Sequence, residues 1–114
     1  MRILLAEDDL HLADLIRTAL ASAAFVVEVE GDGEIIHYRG ETEDFDAVLL
    51  DLGLPGLDGL TILKRWRKAG RLAPVLILTA RNQWEERVEA IEAGAWKREV
   101  ATLRRLSRKT ERGR

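Results

Sequence analysis

The chain has 114 residues, the length of one ordinary domain, and 46% of them are apolar, enough for a core and too many for a disordered segment. There is no cysteine, which excludes disulfides and zinc–thiolate sites, and no apolar run near the roughly 20 residues that span a bilayer. The net charge of −2 conceals an acidic body, −8 over residues 1–95, and a basic end, +6 over residues 96–114.

A basic end can address nucleic acid, but one without interleaved aromatics reads first as a solvated helix face or a linker. Met1 leads straight into a strand-like segment, not into a charged leader with a cleavage site. The expectation is a cytoplasmic protein with no membrane contact.

Arg2-Ile3-Leu4-Leu5-Ala6 has the unbroken apolar character of a strand buried on both faces. Residues 9–23 place Leu12, Leu15, Ile16, Ala19 and Leu20 on one helical stripe. Residues 25–29 read as a second strand, and residues 32–41 as a weak helix flanked by Gly33 and Gly40. Residues 47–50 are a third strand. Leu60, Ile62, Leu63 and Trp66 mark a third helix, which Gly70 closes. Residues 74–79 are a fourth strand with Pro74 at its start, where a missing N–H does least harm. Residues 83–93 read as a fourth helix ended by Gly94, and residues 98–109 as a last helix with Val100, Leu103 and Leu106 inward. This alternation predicts an α/β fold: a doubly wound parallel sheet with helices on both faces and right-handed crossovers.

In such sheets ligands bind beyond the carboxyl ends of the strands, where strand order reverses. Glu7-Asp8-Asp9 follows the first strand, Asp51 ends the third, and Thr79-Ala80 ends the fourth. If the first and third strands are neighbours, several carboxylates converge beside a hydroxyl. A hard divalent cation such as Mg²⁺ resolves their repulsion, and Asp is also a competent nucleophile toward a phosphoryl group. Each acid has a plainer use: Asp8 or Asp9 as a helix cap, Asp51 as a turn residue. Taken together they favour a site. No GxxxxGK[ST] sequence is present, so a P-loop is not expected, and the isolated His11 and His37 read as surface residues.

MRILLAEDD, DAVLLDLGLPGLDG, PVLILTAR and EERVEAIEAGA, in register over residues 1–95, resemble the response regulator receiver domain, especially of regulators with a winged-helix domain after the receiver. The resemblance implies a flavodoxin-like sheet, strand order 2-1-3-4 with a fifth strand beyond, and a role in two-component phosphorelay signalling. It implies Asp51 as phosphoacceptor from a sensor histidine kinase, and Mg²⁺ held by Glu7, Asp8, Asp51 and the main-chain carbonyl of Gly53. Thr79 is implied as the switch hydroxyl and Ala80 as the small neighbour that leaves the phosphoryl group accessible. Pro55 and Gly59 shape the loop beneath, and Asp9 caps the first helix. DNA would be reached only indirectly, through an effector domain absent from these residues.

The end of the chain departs from the family. The lysine expected six residues past Ala95 is replaced by Ala101, and there is no Lys-Pro anywhere; Lys97 is a possible substitute by an irregular path. Tyr38 is the only tyrosine, so the usual fifth-strand aromatic is lacking. The simplest account divides the chain into a receiver core, residues 1–95, and a basic C-terminal helix or linker, residues 96–114, with strand five missing or altered. The fourth strand would then be an apolar edge that invites a homodimer or a strand-swapped oligomer. Two alternatives stand beside a phosphoaccepting receiver. One is a pseudo-receiver that binds or oligomerises without phosphate. The other is a Mg²⁺-dependent phosphohydrolase, which commonly needs a second Asp where this chain has Gly53.

Overall fold

Five parallel strands make one sheet in the order β2-β1-β3-β4-β5. The computed structural model describes residues 1–79, 92, 94, 101 and 102. In chain order the elements are β1 (Arg2–Ala6), α1 (Leu10–Ala21), β2 (Val26–Glu30), α2 (Gly33–Thr42), β3 (Ala47–Asp51), α3 (Gly59–Lys68), β4 (Val75–Thr79) and β5 (Ala101–Thr102). The doubly wound α/β sheet expected from the alternating pattern is therefore present, with β1 and β3 side by side.

β1, β3 and β4 carry unbroken apolar runs because both faces are covered. Ile3, Leu5, Leu49 and Leu78 pack with Ala13 and Ile16 of α1 on one face. Leu4, Ala6, Val48, Leu50, Val75 and Ile77 pack with Ile36 of α2 and with Ile62, Leu63 and Trp66 of α3 on the other. Leu4, Leu5, Leu50 and Ile77 are wholly buried, each worth about 1.5–3 kcal/mol of transfer free energy. The stripe expected on α1 is rotated. Leu15 is 57% exposed and Ala13 is buried in its place. A small residue at position 13 lets the helix come close to the sheet, and Leu12, Ala13, Ile16 and Leu20 then share one face.

Each of these three helices starts on an aspartate. Asp9 Oδ1 accepts from Leu12 N at 3.1 Å, as expected for a cap. Asp32 accepts from Glu34 N and Ile35 N, and Asp58 from Thr61 N. At the amino end of the sheet, Arg2 and Arg39 pair with Glu28 and Glu43 from β1, β2 and α2. The Arg2 guanidinium also lies 4.3 Å from the Phe45 ring centroid. These charges are neutralised in place.

The last helix expected over residues 98–109 is not helical at Ala101 and Thr102. These two residues pair in parallel with Leu78 and Thr79. The unpaired backbone edge of β4 offers ladder hydrogen bonds that a short amphipathic helix cannot match. Among the described residues, Ala101 and Thr102 form β5, so β4 is not bare at Leu78 and Thr79. Of the fourth helix, Glu92 is helical and Gly94 has φ +109°. The rest of that helix, Ala80, Lys97 and the remainder of the expected last helix lie outside the described residues.

One residue between α1 and β2 is strained. Ala24 has φ +68°, and its N–H closes the turn on Ala21 O at 3.0 Å. An L side chain in this region costs about 1–2 kcal/mol, partly offset for glycine by its freedom in the unfolded chain. Ala24→Gly is therefore expected to stabilise the domain by about 0.5–1 kcal/mol, read as a higher urea midpoint at unchanged slope.

Candidate functional site

Parallel pairing sets the site. Ala6 is opposite Leu50, so the next residues along β1 and β3, Glu7 and Asp51, leave the sheet side by side. Asp51 is opposite Leu78, and Leu78 is opposite Ala101, which puts Thr79 one residue further out on the neighbouring strand. Glu7, Asp8 and Asp51 each bring a carboxylate oxygen within 4.8 Å of the others. Glu7 is buried at 4% exposure, Asp51 is half-buried and Asp8 faces solvent.

The backbone fixes these groups. Glu7 N–H donates to Glu30 O at 3.0 Å, tying the end of β1 to the end of β2. Glu7 Oε2 accepts from Asp9 N at 3.0 Å. Asp51 Oδ1 accepts from Gly53 N at 3.2 Å, so Asp51 both makes its turn and joins the cluster. At Gly59 a Cβ would lie 2.3 Å from the Asp51 carbonyl oxygen; only glycine lets α3 start this close. Asp9 is spent as the α1 cap and is not in the cluster. His11 is exposed, and His37 Nε2 lies 2.8 Å from Glu41 on α2. Neither reaches the cluster.

The electrostatics are unfavourable as they stand. Burial, then the charge of Asp51, pushes the Glu7 carboxyl up to about 7. Burial, then Asp8, also raises Asp51. None of the three acids has an ion-pair partner among the described residues. Three hard oxygen donors, graded from buried Glu7 to exposed Asp8, suit a divalent cation of the Mg²⁺ type, which needs few carboxylates and keeps several waters. The supports from Glu30 O and from the start of α2, where Gly33 N–H donates to Pro55 O at 3.1 Å, were not read from the sequence. Their only trace there is the tight pair of glycines around Asp32.

Residues 3–98 match the family model of the response regulator receiver domain. The chain belongs to that family. As a receiver domain it is 48% identical over 95 residues to the transcriptional regulatory protein QseB of Escherichia coli O157:H7, covering 83% of this chain and 43% of QseB. It is 47% identical over the same span to the response regulator protein PmrA of Pseudomonas aeruginosa, again 43% of that protein. The chain thus spans less than half the length of these relatives. Among solved structures, the receiver domain of the Francisella response regulator 1452 superposes with a TM-score of 0.84 at 27% identity, covering 98% of this chain and 92% of that one. The receiver domain of the sensor histidine kinase PA1611 from Pseudomonas aeruginosa, whose active-site cleft holds a magnesium ion, gives 0.77 at 29% identity, covering 97% and 94%. The receiver fold, the two-component family and the flavodoxin-like order 2-1-3-4 stand. No helix among the described residues is long and apolar enough to cross a membrane.

The raised carboxyls of this receiver predict a pH response. Between about 4.5 and 7 the folded chain holds a proton on Glu7 that the unfolded chain has released, so stability falls as pH rises through that window. Asp51 acts in the same direction. In EDTA, Tm is expected to decrease from pH 5 to pH 7.5. Glu7→Gln should flatten that slope, and Mg²⁺ should raise Tm more at pH 8 than at pH 6, since the carboxylates must be deprotonated to bind.

Proposed function

We propose that this receiver accepts a phosphoryl group on Asp51 from a phosphohistidine of a sensor histidine kinase, with Mg²⁺ at Glu7, Asp8, Asp51 and the main-chain carbonyl of Gly53. The observation that carries this reading is the convergence of the three carboxylates at the carboxyl ends of adjacent strands. Mg²⁺, when bound, supplies charge neutralisation for the transferred group.

The chain's own residues supply the rest. An Asp51 carboxylate oxygen attacks phosphorus, the P–N bond to imidazole breaks, and an acyl phosphate forms on Asp51. Asp8, the exposed acid, is the more direct metal ligand. Glu7 lies beneath with Oε2 held by Asp9 N. The Thr79 hydroxyl is assigned to the bound phosphoryl group, and Ala80 keeps access to it open. The domain is a phosphoacceptor, not an enzyme with turnover on a separate substrate, although it can promote its own phosphorylation and dephosphorylation. Residues 1–95 form the receiver core, and the basic residues 96–114 lead toward an effector domain through which DNA is reached. Its place of action is the cytoplasm.

A second reading is supported by Ala101 in the place expected for lysine, and by Tyr38, the one tyrosine of the sequence, lying 65% exposed on α2. In it the domain is a pseudo-receiver that acts by oligomerisation or binding. Intact-mass measurement after incubation with Mg²⁺ and acetyl phosphate separates the two. One phosphoryl group per chain is expected, lost in Asp51→Ala and when EDTA replaces Mg²⁺. An unmodified wild type favours the pseudo-receiver, and an Asp51→Ala variant modified as fully as wild type overturns the assignment of Asp51.

A further inference from the structure

The loop of residues 52–58, which carries Gly53 from β3 to α3, is gripped from two sides. On the α3 side, Gly59 N–H donates to Leu52 O at 3.1 Å. On the α2 side, Gly33 N–H donates to Pro55 O at 3.1 Å. A Cβ built on Gly33 would lie 2.0 Å from Leu57 O and 2.7 Å from Leu57 N, where ordinary contact begins at 3.4 Å. The atoms it meets are backbone, which cannot swing aside as a flexible side chain would. The loop cannot easily retreat either, because Leu52 and Leu54 are anchored in the core at 7% and 6% exposure. Nor is α2 free to back away. Asp32 caps it, and Ile36, one turn on, is wholly buried against the sheet.

We propose that Gly33 is a positioning residue for the metal site: it lets the first turn of α2 rest directly on the backbone of Pro55–Leu57, and so fixes where Gly53 lies relative to Glu7, Asp8 and Asp51. This rests on the Mg²⁺ reading given above. Its physical basis is a mismatch of tolerances. A methyl group at position 33 requires two backbones to part by more than 1 Å. Mg²⁺ demands near-ideal octahedral geometry, and ligand distances hold to within about 0.2 Å. Gly33 acts through Pro55 and Leu57, as outer residues tune a metal by holding its ligands.

Calorimetric titration with Mg²⁺ at pH 8 tests this on the wild type, Gly33→Ala and Ile16→Val. Gly33→Ala is expected to raise Kd about tenfold, the range typical of lost outer support. Ile16→Val thins a buried contact of α1 on the other face of the sheet, so it should lower Tm and leave Kd unchanged. A Gly33→Ala variant that binds Mg²⁺ as wild type does overturns the positioning role alone, and so does an Ile16→Val variant that weakens binding equally. A wild type that binds no Mg²⁺ overturns the metal reading and this inference with it. If Gly33→Ala does not fold, amide exchange on the wild type decides by reciprocity of coupling. Mg²⁺ should slow exchange at Gly33 N severalfold while leaving Glu43 N, bonded to Arg39 O at the far end of α2, unaffected. Unchanged exchange at Gly33 overturns the proposal.

Discussion

Three carboxylates held together at the end of a buried sheet, with no paired cation among the described residues, are the constraint around which this domain is built. Parallel register makes it unavoidable. Once β1 and β3 pair with Ala6 opposite Leu50, the residues that follow each strand must emerge at one edge. Like charges at that spacing oppose one another, and burial of Glu7 adds a desolvation cost. The stability that tolerates this comes from elsewhere, chiefly from the apolar runs sealed between helices on both faces of the sheet.

The two ends of the sheet handle charge in opposite ways. At the amino end Arg2 and Arg39 meet Glu28 and Glu43, and the carboxyl of Glu43 is held down at about 2 by those two arginines. The acids there are satisfied by the chain itself. At the carboxyl end Glu7 and Asp51 are pushed the other way, up, by burial and by neighbouring carboxylates. On the Mg²⁺ reading proposed above, a bound cation would stabilise the fold by removing a penalty already present in it. The same sheet separates an end whose charges are paired within the chain from an end whose acids have no ion-pair partner among the described residues.

Much of this was legible in the residues. A strand buried on both faces must be apolar at every position, so 2–6, 47–50 and 74–79 announce themselves. An aspartate before a 3.6-period segment marks Asp9 as a cap, and the structure adds Asp32 and Asp58 in the same role. The site was legible because its acids terminate strands, and the resemblance of those same segments to a family supplied the strand order. Three things were not legible. The phase of α1 turned on Ala13, a residue apolar enough to be buried and small enough to be overlooked. EVATL satisfies a helix pattern and a strand pattern alike, and the vacant ladder of β4 decides for β5 at Ala101 and Thr102. The support from β2 and α2 runs through main-chain atoms, Glu30 O and Gly33 N, which leave no side-chain pattern to read.

That last point bears on how such a site is held. Side-chain ligands can adjust by rotating about their χ angles, but a main-chain carbonyl moves only with its whole loop. Holding such a carbonyl within a few tenths of an ångström therefore calls for contacts to the loop's backbone on more than one side. Here α3 presses on Asp51 O at Gly59 and α2 on Leu57 at Gly33, each at a distance that admits no Cβ. Two helix starts that appear from sequence to be unrelated turns are opposing contacts on one loop. The two helices that make these contacts also touch each other, with Trp66 Nε1 of α3 donating to His37 O midway along α2 at 3.0 Å.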